Sequence, residues 1–549
     1  MMKKLLALLL MLLFILPVAA SALTVSEPGV FPIVGEEDDV TLTIMACVNV
    51  TCESWKDNVT MKQFEEETGV KVNWIEVMDA DIQETIRRTL ISGDMPDIVL
   101  WWFSDTSMIQ SFGSAGDIIP LNDLIENYTV NAKAQLASDP ELQKLITSDD
   151  GNIYTLWRVE NNPGESVWNK QFVFMPWFEQ YAAATGADMP ETLEEYRAML
   201  EYFRDNDMNG NGDPNDEIPL IGNAGAAIEG ASSMSFIMSA FQLWNCGDYY
   251  HITDGGELVF EANTQEYRDG LSYMNKMFED GLYTEEDFTL SLNDMRAITS
   301  VASQEDVVCG VIAAPFYFRA ITQAIYQDCF VDYQPIPPLK NYQDEDVRQV
   351  YQRWDAMYYP QAFITASCEH PEVAIKWLDY WLSEEGALRT AKYGMEGRDW
   401  EWTYDYPSLA GNTPSLNVLR QLEGSGNVEF PAQTGVPFYM SKDLFEATTA
   451  DPNSTARNYH DYRVHQVYAP YCVKGNIPAI VWCSDEDILV EYSEYKTLIG
   501  EYVRAEYAKF IMGTTDIDND ADWQAYLDGL DALGLPRYLE VLDMYYGLD

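Results

Sequence analysis

The sequence predicts an α/β fold: a mainly parallel sheet with helices on its faces, in a chain of two or more lobes. Two patterns and one length carry this reading. Between residues 40 and 102, β-rich runs and helical stripes follow one another as strand–helix–strand–helix–strand, an order that sets parallel strands side by side under helices. From residue 190 onward helical stripes dominate, separated by short β-like runs. The chain has 549 residues, which at about 100–200 residues per domain is too long for one lobe.

The elements follow in order. Residues 1–4 are a short basic start, 5–16 (LLALLLMLLFIL) an apolar run, and Ala20-Ser21-Ala22 a small-residue cleavage site. This is the layout of a secretory signal peptide over 1–22, and the apolar run falls short of the roughly 20 residues that span a bilayer. The first cysteine is Cys47, so none stands at the cleavage point to take a lipid. The expectation is an exported protein, periplasmic or extracellular. Residues 23–40 are an acidic lead-in with prolines and glycines. VTLTIMACV (40–48) alternates as a strand does; Thr60 to Gln63 reads as a capping box opening a helix that Gly69 stops. VKVNWIEV (70–77) is a second strand, DIQETIRRTLIS a second helix stopped by Gly93, and PDIVLWW (96–102) a third strand. Further on, Thr192 and Glu195 form a capping box before a helix with Leu193, Tyr196, Leu200 and Phe203 on one stripe. Residues 266–281 and 371–394 repeat that style, and 307–315 and 358–365 are β-like. Trp177, Trp377 and Trp381 sit on helical apolar stripes and are expected in cores.

Composition narrows the function. There are 89 acidic and 33 basic residues; with Lys3 and Lys4 in the leader, the mature chain keeps 31 basic residues and a net charge of −58. Nucleic acid is excluded as a partner, because phosphates need clustered cations. The 47% of hydrophobic residues still permits a core. The eight cysteines (47, 52, 246, 309, 329, 368, 472 and 483) contain no C-x2-C pair. An exported chain permits disulfides, and buried thiols are the alternative. Aromatics reach 13%, with 15 Trp and 34 Tyr, an excess beyond core packing.

DNDMNGNGDPNDEIPL (205–220) alternates oxygen-bearing side chains with neighbours that include Gly210 and Gly212. Calcium takes 6–8 oxygens, and a loop wrapped around it offers them at alternate positions, glycines supplying the tight turns. One register starts at Asp205 and follows the EF-hand pattern with Asp216 at position 12; another starts at Asp207. A solvated loop of Asx turns is the alternative. A helix–loop–strand setting points to a structural ion.

Several stretches carry a family resemblance: FEEETGVKVNWIEV with TLISGDMPDIVLWW, then DMPETLEEYRAMLEYFRDNDMNGNGDPNDEIPL, YGMEGRDW (393–400) and residues 509–535. They resemble extracellular solute-binding proteins of carbohydrate ABC importers, and in particular the larger alginate-oligosaccharide-binding members, which carry a calcium loop. The resemblance covers nearly the whole mature chain. It implies a two-lobed periplasmic-binding-protein-like fold with a multi-strand hinge and a ligand cleft between lobes. The expected division is 41–155 with 322–395 for the N-terminal lobe and 156–321 with 396–549 for the C-terminal lobe. The resemblance also favours the Asp207 register, giving Asp207, Asn209, Asn211, Asp213 (through its carbonyl), Asp216 and Glu217 as ligands of a structural Ca²⁺. One extra residue before the Asp-Glu pair leaves Asn215 and Asp216 both open as exit ligands.

Sugars offer an apolar C–H face and a rim of hydroxyls, which aromatic rings and charged or amide groups match. Ligands sit beyond the carboxyl ends of strands in α/β lobes, which nominates Trp101, Trp102 and Asp105. By resemblance, YTLWRVENN is the first hinge crossing, nominating Trp157, Arg158 and Glu160. Tyr317 follows a second-lobe strand; QRWDAMYY offers Arg353 and Trp354, and EGRDWEW offers Glu396, Arg398, Trp400 and Trp402. The expected function is capture of an oligosaccharide or other polar solute by a monomer that closes around it and delivers it to ABC permease subunits, with no catalysis. A secreted glycoside hydrolase, needing two carboxylates about a bond, and a glycan-binding adhesin are the competing readings.

Overall fold

The structure, a computed structural model, describes residues 23–548 apart from 36, 49–51, 104–105, 163, 165, 214, 224–231, 302, 316–319, 321–331, 391–393, 420–434 and 452–456. The first lobe holds a six-stranded sheet. Its strands are β1 (Thr41–Val48), β2 (Lys71–Met78), β3 (Ile98–Leu100), β4 (Leu156–Glu160), β12 (Met357–Ile364) and β15 (Phe438–Met440), in the order β15-β4-β12-β3-β1-β2. β1 runs parallel to β2 and β3, β12 antiparallel to β3 and β4, and β15 parallel to β4. Only β12, the strand that enters from the other lobe, is reversed.

The second lobe holds β5 (Gln171–Phe174), β6 (Ile218–Ile221), β9 (Cys309–Ala313) and β10 (Tyr333–Pro335), in the order β10-β5-β9-β6, with β6 and β9 parallel. Beside it lie a hairpin of β7 (Tyr250–Ile252) and β8 (Leu258–Phe260), and a two-stranded parallel ribbon of β11 (Val350–Gln352) and β16 (Cys472–Lys474). A further hairpin, β13 (Trp400–Thr403) with β14 (Ser415–Val418), packs on the β15 edge of the first lobe.

Local sequence explains these elements. The first helix is Val59–Thr68 and ends at Gly69, whose φ of 73° is a left-handed conformation glycine adopts freely. Its cap is Asn58, which accepts from the Met61 N–H, and not Thr60, which is buried inside the first turn. The expected box at Thr192 forms, with both reciprocal hydrogen bonds to Glu195, and Tyr196, Met199, Leu200 and Phe203 face the core. Residues 371–394 form two helices, Pro371–Tyr380 and Glu384–Thr390. Trp177, Trp377 and Trp381 are each at most 1% exposed.

Strand period decides which side each residue takes. In β1, Leu42, Ile44, Ala46 and Val48 join one apolar layer, while Met45 and Cys47 join the layer on the opposite face. The expected lobe boundaries move. Residues 156–160 and 438–440, assigned to the C-terminal lobe, pair within the first sheet, because β4 finds β12 and β15 as neighbours. Residues 333–352, assigned to the N-terminal lobe, belong to the second: β10 pairs with β5, and Val350 lies in the second core. The described cysteines are thiols, and Cys329 lies outside the described residues. Among the described residues no helix is long and apolar enough to cross a membrane.

Candidate functional site: the junction between the lobes

Strand direction fixes where the lobes meet. β4 ends at Glu160 and the chain crosses to β5, whose first residue, Gln171, pairs with Ala313 at the carboxyl end of β9. β6 is parallel to β9, so its carboxyl end also faces the junction. β12 begins there, at Met357. Both lobes therefore present strand carboxyl ends to one another, the position at which α/β proteins bind small molecules.

On the first lobe, Phe438, Arg158 and Tyr359 stand in register across β15, β4 and β12. The Arg158 guanidinium lies over the Phe438 ring at 5.0 Å and the Tyr359 ring at 5.8 Å, and pairs with Glu160 at 2.7 Å. Two residues apart on one strand, Arg158 and Glu160 share a face. Trp102 meets Tyr359 edge-on at 6.0 Å and is half-buried. This row of rings and one ion pair continues into a cavity of about 280 Å³. The cavity is lined from the first lobe by Trp102, Phe103 and Tyr359 and from the second by Asp248, Arg353 and Lys496. A larger hollow of about 840 Å³ adjoins it through Arg353, Trp354 and Tyr358.

Arg353 is the centre of the second-lobe side. It lies 4.2 Å over Trp168 of the first crossing and 5.0 Å over Trp354, and its Nη2 meets Asp248 at 3.0 Å. Lys496 meets the other Asp248 oxygen at 3.0 Å. Burial pushes the Asp248 carboxyl up, but the Lys496 and Arg353 charges outweigh it and hold the group below its ordinary value. One carboxylate thus stands between two cations, Arg353 and Lys496. Residues 475–485 reach over the junction and dock on the first lobe: Thr106 Oγ1 donates to Val481 O at 2.5 Å and Trp482 Nε1 donates to Leu145 O at 2.8 Å.

A second buried acid holds the Asp248 turn. Glu261, 1% exposed, accepts from the Asn245 N–H at 2.7 Å and meets His251 Nδ1 at 2.7 Å. Burial, only partly opposed by the His251 hydrogen bond, pushes its pKa from 4.5 up to about 7. A carboxyl whose folded value is the higher one takes up protons on folding, so its contribution is present below the unfolded value and is lost as pH rises through about 7. The melting temperature is expected to fall from pH 5 to pH 8, and Glu261→Gln to flatten part of that slope. A slope identical in the variant, followed by scanning calorimetry, would refute this.

The nominated residues separate. Trp102, Arg353 and Trp354 line the junction cavities, and Arg158 and Glu160 stand beside them. Asp105 and Tyr317 lie outside the described residues. Trp157 does not belong to the site: it is 0% exposed, and its indole N–H donates to Gln135 at 2.8 Å. It points with Val159 into the helix-covered layer, opposite Arg158. Trp101, 3% exposed, packs with Met45, Ile82 and Phe363 in the other layer. Glu396, Arg398, Trp400 and Trp402 gather on or beside the β13–β14 hairpin and line neither cavity. There Trp400 is buried against Leu416 and Phe438, and Arg398 forks onto Asp399. Sequence reasoning missed Asp248 and Lys496. Asp248 and Arg353 are 105 positions apart, and no local pattern marks either as a partner.

Residues 206–213 and 215–217 lie between the helix Leu193–Asp205 and β6, with residue 214 outside the described residues. Asp205 forks onto Arg204 at 2.7 and 2.9 Å, which takes it out of the turn. Asp207 accepts from the Gly210 and Gly212 N–H groups at 2.8 and 2.9 Å, and both glycines have positive φ. Asp216 Oδ1 and Glu217 Oε2 are buried with no hydrogen-bond partner. Burial raises the Glu217 carboxyl, and the Asp216 charge adds to it. Two buried carboxylate oxygens without donors fit a cation better than they fit an apolar setting. Among the described residues no three His, Cys, Asp or Glu side chains converge as a metal-holding group, so amide and carbonyl oxygens would have to complete the donor set.

Residues 53–388 match the family model of the bacterial extracellular solute-binding proteins. The chain belongs to that family. Among individual members it is 25% identical to the fructooligosaccharide ABC transporter substrate-binding protein FusA of Streptococcus pneumoniae, over 89% of this chain and 87% of that one. The crystallographic neighbours of this solute-binding fold include FusA in complex with kestose, at a TM-score of 0.71 and 22% identity over 92% of this chain and 99% of that one. They also include an EF-hand mutant of FusA with fructo-nystose, at the same TM-score of 0.71, identity of 22% and coverage of 92% and 99%. The alginate-binding protein AlgQ2 without calcium ion has a TM-score of 0.62 and 20% identity over 93% of this chain and 98% of that one. These neighbours have the two-lobed fold described above.

Proposed function

We propose that this chain is the exported solute-binding subunit of a carbohydrate ABC importer, capturing an oligosaccharide between its lobes and presenting it to the permease. The observation that carries this is the junction: strand carboxyl ends from two lobes facing one another, with a row of aromatic rings and paired charges along them. FusA, similar over nearly the whole chain, is named for binding fructooligosaccharide, which supports a glycan as the solute. The row suits that chemistry. Rings such as Trp102 and Tyr359 match the C–H faces of sugar rings, and the ion-paired Arg158, Glu160, Arg353 and Asp248 offer pre-oriented donors and acceptors to hydroxyls. Solute touching both lobes stabilises the closed state by its differential affinity, and the permease reads that state. The leader over 1–22 supplies the route out of the cell.

Calcium is part of the same proposal. Asp207, Asn209, Asn211, the Asp213 carbonyl, Asp216 and Glu217 would hold one ion, and the two buried carboxylate oxygens support the exit ligands Asp216 and Glu217 over Asn215. The ion would neutralise those oxygens and stiffen the turn into β6. The test is a thermal-shift panel in calcium buffer with kestose, a milk oligosaccharide, an N-glycan and an alginate oligosaccharide. At least one is expected to raise the melting temperature by several degrees, as mass action demands of a ligand well above its dissociation constant, and to be recovered uncleaved. A cleaved glycan would favour the hydrolase reading, and no shift with any of them would refute carbohydrate capture.

A further inference from the structure

The helix Leu535–Tyr546 ends in two adjacent tyrosines that the binding row does not include. Tyr538, Val541 and Leu542 are among its buried residues, and Tyr545 continues their stripe, four positions after Val541 and three after Leu542. The long helix Glu486–Ile511 packs against it. Tyr495 meets Tyr538 with ring centroids 6.2 Å apart, and Tyr492 stacks on Tyr545 at 4.1 Å with 11° between the ring planes. One residue number rises as the other falls, so the two helices run antiparallel and carry a ladder of tyrosines between them. Tyr538 is 2% exposed, whereas Tyr492 and Tyr545 are half-buried. The ladder starts in the second-lobe core and ends outside it.

Its outer end lies at the junction. Tyr492, Tyr545 and Tyr546 line the cavity of about 280 Å³ that Trp102 and Tyr359 line from the first lobe. Tyr545 and Tyr546 also line the hollow of about 840 Å³, so they stand where the two spaces meet. Neighbours hold these rings. Lys496 Nζ donates to Tyr492 Oη at 3.2 Å and meets Asp248 at 3.0 Å. The Tyr250 and Tyr546 hydroxyls share a hydrogen bond of 2.8 Å, and the Tyr545 ring meets the Tyr546 ring edge-on at 5.1 Å. Rings that only closed the core would be buried as Tyr538 is. These keep area open to the cavity while their neighbours restrict them, and a restricted ring loses little freedom when a ligand arrives.

We propose that Tyr545, stacked on Tyr492, is a second-lobe aromatic platform for the solute: a sugar unit packs its C–H face on this pair while Trp102 and Tyr359 meet the same solute from the first lobe. This rests on the oligosaccharide-capture reading above. It adds the C-terminal helix to the binding machinery, and it gives closure a physical cause, since a solute touching rings of both lobes favours the state that brings them together.

The experiment compares the full-length mature protein with its Tyr545→Ala, Tyr545→Phe, Tyr545→Leu and Tyr495→Ala variants. Fluorescence titration uses whichever of kestose, milk oligosaccharide, N-glycan and alginate oligosaccharide binds the wild type most tightly, and calorimetry gives the melting temperature of each unliganded variant. Tyr545→Ala is expected to weaken binding about tenfold, the loss typical of a tyrosine anchor. Tyr545→Phe keeps the ring and should bind nearly as the wild type does. Tyr495→Ala removes a ring of the same ladder that lines neither cavity, and should lower the melting temperature while leaving the affinity unchanged. Should Tyr545→Ala fail to fold, Tyr545→Leu keeps apolar volume without a ring and is expected to show the same loss of affinity. If the wild type binds a glycan and the folded Tyr545→Ala or Tyr545→Leu protein binds it equally well, the platform is wrong while capture stands. Equal losses in the Phe and Ala variants would also overturn it, because the ring would then not be what the solute meets. If the wild type binds none of the four, capture and platform fall together.

Discussion

Trp102→Ala is expected to weaken oligosaccharide binding about tenfold or more, the loss typical of an aromatic anchor at a binding surface, while leaving the melting temperature nearly unchanged. Trp157→Ala, in the same lobe, is expected to do the reverse. Trp102 is half-buried, meets Tyr359 edge-on and lines the junction cavity, so truncating it removes contact area for a solute and little of the core. Trp157 is 0% exposed, packs among the first-lobe core residues and donates to Gln135. Removing it leaves a large cavity and an amide short of a donor, worth about 3–5 kcal/mol. In a lobe of this size that lowers the melting temperature by roughly 10 °C. Calorimetry and fluorescence titration on both variants separate the outcomes. Equal losses of affinity from the two would mean that the half-buried ring is not where solute is held.

Chelation is expected to give the second large effect. If the 207–217 turn holds calcium, adding EGTA to the dialysed protein lowers the melting temperature by several degrees, because an ion bound only by the folded state stabilises it by about 4 kcal/mol at a thousand times its dissociation constant. Glu217→Gln should lower the temperature in calcium and abolish the EGTA response, since it replaces a buried carboxylate oxygen that has no protein donor. Asp205→Asn should leave the response intact, because Asp205 is held by Arg204 outside the turn. A wild-type protein indifferent to EGTA, with no calcium found by elemental analysis, would mean that the turn stands on its Asx-type hydrogen bonds alone.

Much of the fold was legible because it is local. The strand–helix alternation of 40–102, the glycine stops at 69 and 93 and the capping box at Thr192 each depend on residues a few positions apart, and each forms. The cap at Asn58 was misassigned to Thr60 because both residue types can accept at a helix start, and only the backbone turn decides between them. The candidate site was legible in part. PDIVLWW correctly marks a strand end, but which of two adjacent tryptophans is available follows from the pleat: Trp101 joins Val99 in the core layer, leaving Trp102 at the junction. The same alternation sets Arg158 against Trp157.

By itself the sequence determined the α/β class, the glycine stops at 69 and 93, the capping box at Thr192 and the loop of alternating oxygens, since these rest on spacing within one turn or one strand. Only the tertiary structure decided the lobe boundaries, through the long-range pairing of β15 with β4 and of β10 with β5. It alone brought Asp248, Arg353 and Lys496 into one cluster and removed Trp157 from the binding row. The physical reason is shared: a side chain's face and its distant partners are set when strands from separate parts of the chain choose their neighbours, and that choice has no local code.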